Sequence, residues 1–132
     1  MADTQIVAWT GTNKKLNVQI GTNGTPITLQ QTSNNGPAIA YFKGTYYLVW
    51  TGTNGQLNVS TSADGINWSQ PSTLSQTSDN GPTLAVSPSG VLYLGWTGTN
   101  NKLNYMTLGS SGWSTATTIN ETSNDAYCLI VV

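Results

Sequence analysis

The sequence predicts an all-β protein assembled from repeated four-stranded sheets, and three observations predict it. One nine-residue phrase recurs three times along the chain. A second phrase follows each copy of the first. Between them lie short strands that are apolar on both faces, and nowhere does an apolar stripe recur at helical spacing.

The first phrase is Trp9-Thr10-Gly11-Thr12-Asn13-Lys14-Lys15-Leu16-Asn17. It returns from Trp50 to Asn58 and again from Trp96 to Asn104, with seven of the nine positions unchanged in residue type. The second phrase runs from Gln31 through Thr32-Ser33-Asn34-Asn35-Gly36 to Pro37, and returns from Gln76 to Pro82. Its third version has decayed to Glu121-Thr122-Ser123-Asn124-Asp125-Ala126-Tyr127. In the middle copy the strands read as Ala38 to Phe42, Tyr46 to Thr51, Leu57 to Thr61 and Ser72 to Gln76, divided by Gly, Asn, Pro and Ser turns. Leu48 and Trp50 point to one face and Tyr47 and Val49 to the other, because side chains alternate along a strand. Sheets apolar on both faces, in units of about 40 to 45 residues, suit β-propeller blades stacked face to face. A sandwich would leave one polar face on most strands.

Superposing the copies divides the single repeat domain, 1–132, into blades at 36–77 and 81–122 and a split blade made of 2–31 with 126–132. Tyr127 to Val132 aligns with the first strand Pro37 to Phe42, while Ile6 aligns with Tyr47 inside a second strand. Three blades are too few to close a ring, since propellers typically have four to eight. The expectation is therefore a ring closed by oligomerisation, with a head-to-tail, six-bladed dimer favoured over a nine-bladed trimer.

Composition narrows the chemistry. Charged residues are 7% of the chain and its net charge is -1, against roughly 25% charged in an ordinary domain. With no Arg and no His, and four Lys that do not cluster, nucleic acid is not an expected partner. A catalytic Ser-His or Cys-His pair cannot be assembled. One thiol, Cys128, gives no thiolate metal site, so no metal, cofactor or catalytic residue is expected. A carboxylate pair stays formally open for glycoside hydrolysis, but Asp79, Glu121 and Asp125 have Asn or Gln in their sister copies. No apolar run reaches the roughly 18 residues of a membrane span, and no signal peptide is seen, so a soluble chain is expected.

The W-T-G-T-N-x-x-L-N and T-S-x-N-G-P phrases resemble the blade repeats of bacterial propeller proteins of the sialidase-like and lectin-like kind, over essentially the whole chain. Ser62-Ala63-Asp64-Gly65-Ile66-Asn67-Trp68 resembles the Asp-box turn of sialidase-type blades, one residue short of its common spacing. The resemblance implies a structural role for Asp64. It does not carry sialidase activity, which in that family needs an arginine cluster on the substrate carboxylate. What it implies is the lectin branch, with a weak sugar site at each blade or blade junction.

Strand topology sorts the loops. Both phrases emerge at the same end of the blades, so one face of the disc repeats and the other does not. Asn amides offer paired donors and acceptors to vicinal hydroxyls, which marks Asn13, Asn54 and Asn100 with Ser33, Asn34, Asn35, Ser78, Asp79 and Asn80 as candidates for neutral glycans. Trp68 and Trp113, on the opposite loops, either pack or stand as sugar platforms. The same Thr-Gly-Thr-Asn is also ordinary hairpin chemistry. Trp9, Trp50 and Trp96 read as inter-blade packing, and Asn17, Asn58 and Asn104 as structural bonds to a neighbouring blade. Decay of the third phrase implies that a site beside Asp125 differs from the others or is lost. The expected function is a non-catalytic, multivalent carbohydrate-binding propeller; the alternative is a structural or protein-interaction propeller without a small ligand.

Overall fold

The structure, a computed structural model, describes residues 3–132; residue 2, where the split blade is expected to begin, lies outside them. Twelve strands and no helix occur among the described residues: β1 (Ile6–Thr10), β2 (Lys15–Ile20), β3 (Ile27–Thr32), β4 (Ala38–Phe42), β5 (Thr45–Thr51), β6 (Gln56–Ser62), β7 (Ser72–Thr77), β8 (Thr83–Val86), β9 (Leu92–Thr97), β10 (Lys102–Gly109), β11 (Gly112–Trp113) and β12 (Thr117–Thr122). The middle strands fall where alternation places them, longer at the ends by a residue or so.

Every pairing is antiparallel between strands adjacent in sequence, save that β11 and β12 both pair β10. The sheets are β1-β2-β3, β4-β5-β6-β7, and β8-β9-β10 with β11 and β12 along its outer edge. The third-to-fourth pairing slips register at the same place in each, next to Asn17, Asn58 and Leu103. Such a slip is the mark of a β-bulge, which twists the strand locally.

The sheets are held together by apolar faces. Leu16 and Val18 of the first sheet meet Leu48 and Trp50 of the second, with Ile6, Ala8, Leu29, Ile39 and Trp68 around them. Val49, Leu57 and Val59 on the second sheet's other face meet Leu94, Trp96 and Met106 of the third. Burial of both faces explains the doubly apolar strands: each large side chain removed from water contributes roughly 1.5–3 kcal/mol. The end sheets have one face without a neighbour. Val7 and Trp9 are 41% and 36% exposed, where their repeat counterparts Leu48 and Trp50 are 0% and 2% exposed.

Residues 123–132 form no strand within the chain. The edge that matches them by repeat is that of β1, two sheets away, and Ile130 and Val132 are exposed. Ser123, Asn124 and Asp125 are tied to the third sheet and its neighbouring loop, and beyond them Tyr127 is anchored. Its hydroxyl donates to the Asn104 carbonyl, and its ring lies on Gly95, where any Cβ would collide with the phenol oxygen. Burial pushes the Tyr127 hydroxyl up to about 12.

At the non-repeating end, Asp64 ties the turn between β6 and β7. Its Oδ1 accepts the backbone N–H groups of Ile66 and Asn67, each at 2.9 Å, and its Oδ2 accepts the Asn67 amide at 2.9 Å. The Trp68 indole N–H closes the turn on the Gly65 carbonyl at 3.1 Å. These donors, led by the Asn67 backbone N–H, hold the Asp64 carboxyl well below the usual carboxylate range. A depressed folded value means that the turn's ionic contribution is full above about pH 4 and is lost as pH falls. Asp64→Asn should therefore unfold at a lower temperature than the parent near neutrality. The gap should narrow between about pH 5 and pH 2, as thermal melts across that range would show.

Candidate functional site

The repeated loops converge at one end of the three sheets, and their bonds repeat with them. In each β-hairpin the loop closes on itself: Gly11, Gly52 and Gly98 donate to the carbonyls of Lys15, Gln56 and Lys102, each at 2.8 Å. Asn13, Asn54 and Asn100 accept, through Oδ1, the backbone N–H two residues on, each at 3.1 Å. A Cβ on Gly11, Gly52 or Gly98 would lie 2.9–3.1 Å from both Asn amides that flank it. Any larger residue there would have to push both amides aside. The next bend needs a left-handed residue, and Lys14, Gly55 and Asn101 take φ of 68°, 84° and 67° there.

Asn17, Asn58 and Asn104 bridge their own sheets. Each donates to the carbonyl two residues back, at 2.9–3.0 Å, and accepts a hydroxyl from Thr28, Thr73 or Thr118 at 2.7 Å. The expected structural role holds but the partner differs: the bonds stay within one blade, because the bulge brings the outer strand's Thr beside the Asn.

A latch connects successive sheets. Thr10, Thr51 and Thr97 donate their hydroxyls to the carbonyls of Asn35, Asn80 and Asp125 at 2.6–2.7 Å, tying each sheet to its exit loop. The exit loop's serine reaches forward: Ser33 Oγ donates to the Thr51 carbonyl at 2.6 Å, and Ser78 Oγ to that of Thr97 at 2.5 Å. Both serines are fully buried, and each also accepts an N–H, from Asn35 or Asn80, at 3.0 Å. Their hydroxyls are engaged in the joint and are not free for a ligand.

The clefts that remain lie over these joints. One of about 320 Å³ is lined by Asn34 and Asn35 on one side, by Thr51, Gly52, Thr53, Asn54 and Gly55 on the other, and by Ser78 and Asp79. A counterpart of about 470 Å³ beside β1 has Thr10, Gly11, Lys14, Ser33 and Asn34 in the matching places, with Asn35 and Trp9 also in its lining. A third, of about 250 Å³, includes Thr77, Trp96, Gly98, Thr99 and Asn100. The structure thus gathers Asn54 with Asn34, Asn35 and Asp79, and leaves Asn13 outside the linings. Asn80 donates its amide to the Asn124 carbonyl at 3.3 Å across the last joint. The side chains of Asn34, Asn35 and Asp79, and the amide nitrogens of Asn13 and Asn100, make no hydrogen bond among the described residues.

Searches for similar proteins give the fold a context. No protein-family model matches the chain, and no curated protein matches it. A fucose lectin from Kordia zhangzhouensis, solved with methyl-fucoside, superposes with a TM-score of 0.62 at 13% identity, over 91% of this chain and 92% of that one. A variant of AofleA from Arthrobotrys oligospora, with three arginines changed to alanine, superposes with a TM-score of 0.63 at 12% identity. That match covers 91% of this chain and 39% of AofleA. The likeness is one of fold, and it is β-propeller-like.

Trp68 and Trp113 sit away from the repeated loops. Trp113 packs on the core between the second and third sheets. Trp68 packs on the other core and forms one wall of a groove of about 290 Å³ with Gln30, Gln31, Ser60, Ser69 and Gln70. The threonines are the residues that sequence reasoning overlooked. Thr53 and Thr99 line clefts, and Thr10, Thr51 and Thr97 fasten the loops that shape them. Their invariance within the repeated phrase was the available signal. No group of three or more His, Cys, Asp or Glu capable of holding a metal occurs among the described residues. No helix among them is long and apolar enough to cross a membrane.

Proposed function

We propose that this protein is a non-catalytic carbohydrate-binding propeller whose repeated clefts take neutral sugars, and that two copies close one six-bladed ring. The observation that carries the reading is the repetition of one cleft lining over successive joints, in a fold shared with a fucose lectin at low identity. Free amides and hydroxyls suit vicinal diols, and a sparsely charged chain without Arg, of net charge -1, suits a neutral ligand better than an anionic one. This chain has no Arg, so any sugar contact within one copy relies on amides, hydroxyls, Asp79 and Lys14. Each cleft is shallow, and affinity comes from several engaged together.

A specific observation favours the alternative of a scaffold without small ligand: the Oδ1 atoms of Asn13, Asn54 and Asn100 are occupied by turns. A glycan array separates the two. The lectin reading expects binding to one coherent family of neutral glycans, and silence across the array supports the scaffold. Asn54→Asp and Asn100→Asp together keep each turn's acceptor and remove an amide donor from two cleft linings. Loss of one hydrogen bond of roughly 1 kcal/mol per site, compounded over several sites, should weaken multivalent binding at least about tenfold. Unchanged binding would move the site to the Trp68 groove.

A further inference from the structure

We infer that the open edge of β1 is the seat for residues 128–132 of a second copy, and that this docking completes the cleft beside Trp9 with residues of the partner. The inference rests on the ring proposed above and gives it a register. The seat is visible as two grooves along β1. One, of about 300 Å³, is lined by Thr4, Ile6, Ile39, Ala40, Tyr41 and Tyr46; the other is the cleft beside Trp9. In the second and third sheets the matching edge is covered by β4 and β8. The same molecule carries the segment that fits, apolar, unpaired and exposed at Cys128, Ile130 and Val132, which is why the occupant is another copy.

Repeat equivalence fixes the pairs. Ala38 opposes Val49 and Thr83 opposes Gly95, so Cys128 opposes Ala8, Leu129 opposes Val7, Ile130 opposes Ile6, Val131 opposes Gln5 and Val132 opposes Thr4. The latch is left half-made at each end of the chain. Ser123 accepts the Asp125 N–H at 3.0 Å, yet its hydroxyl donates to nothing among the described residues. The Thr10 carbonyl, equivalent to those of Thr51 and Thr97, receives no serine hydroxyl among them. Bridges pair Ser33 with Gly52 and Ser78 with Gly98; the third of the series joins Ser123 to Gly11 across copies. Docking also covers Val7 and Trp9 with the unpaired face of the third sheet, where Tyr93 stacks on Tyr105 at 5.8 Å.

The cleft completed in this way differs from those within a chain. Asp125 takes the place of Asn35 and Asn80, and Lys14 that of Gly55 and Asn101. A carboxylate and an ammonium then flank a neutral sugar, and charge-assisted hydrogen bonds are roughly twice as strong as neutral ones.

Disulfide trapping tests the register. The two-residue turn at Lys43-Gly44 makes Phe42 and Thr45 a hydrogen-bonded pair, so Ile39 and Leu48, three steps on, are non-hydrogen-bonded, with Cα atoms about 4.5 Å apart. Leu129 and Val7 inherit that spacing, which a disulfide spans. Val7→Cys with Leu129→Cys, in a Cys128→Ala background, should oxidise to covalent pairs of chains on a non-reducing denaturing gel. Val7→Cys with Ile130→Cys, whose side chains fall on opposite faces, should not. Equal trapping of both pairs, or cross-links confined to single chains, overturns the seat. Light scattering on the unaltered protein is an independent test: a stable single-chain mass overturns the seat, and a two-chain mass supports it. Glycan binding by a single-chain species would sink the seat and spare the lectin reading, whereas trapped pairs silent on the array would do the reverse.

Discussion

Trp50→Ala should lower the unfolding free energy by about 3–5 kcal/mol, the range for emptying a buried aromatic site. Trp50 is 2% exposed and lies against Leu16, Val18 and Leu48 between two sheets. The rigid, doubly packed joint has little freedom to collapse into the void. Urea unfolding followed by circular dichroism measures the loss; a change below about 1 kcal/mol would remove Trp50 from the core. Trp9 is the informative companion because it holds the same repeat position. At 36% exposure in the single chain, its truncation should cost far less than that of Trp50. In a closed ring the two costs converge, and the Trp9 variant also loses mass by light scattering.

Ser78→Ala should cost about 1–3 kcal/mol, the penalty for leaving buried groups unpaired. One hydroxyl serves both the Thr97 carbonyl and the Asn80 N–H, and alanine strands both at a site without exposure. Chemical denaturation gives the energy, and faster hydrogen exchange at Asn80 locates it. A stability within about 0.5 kcal/mol of the parent would show that the latch is geometry without energy. Ser123→Ala supplies the contrast: it removes one bond fewer than Ser78→Ala in a lone chain, and the same number in a ring.

Much of the fold is legible in the sequence because its cause is local. Leu48 and Trp50 alternate with Tyr47 and Val49, and only a sheet covered on both sides makes use of that pattern. The loops are legible because the same phrase solves the same turn three times. What escapes depends on contacts that periodicity does not encode. Thr51 after Trp50 reads as any β-branched strand residue, and nothing in the phrase announces a hydroxyl tied to a loop 29 residues on. Asn58 reads as a bond to a neighbouring blade, whereas its bonding to Thr73 depends on a bulge. Tyr127 replaces a proline, and its fit on Gly95 is a match of sizes across the sheet. For the candidate site, residue types point to the repeated end of the sheets but not to which atoms stay free. Ser33 and Ser78 are joinery, while Asn34, Asn35 and Thr53 keep open valences toward the cleft.

The latch has a direction. Each exit loop is tied back to its own sheet by a threonine and forward to the next by a serine, so sheets line up as in a queue and cannot meet as in a handshake. Two molecules sharing this joint do so nose to tail, each giving at one end what it receives at the other.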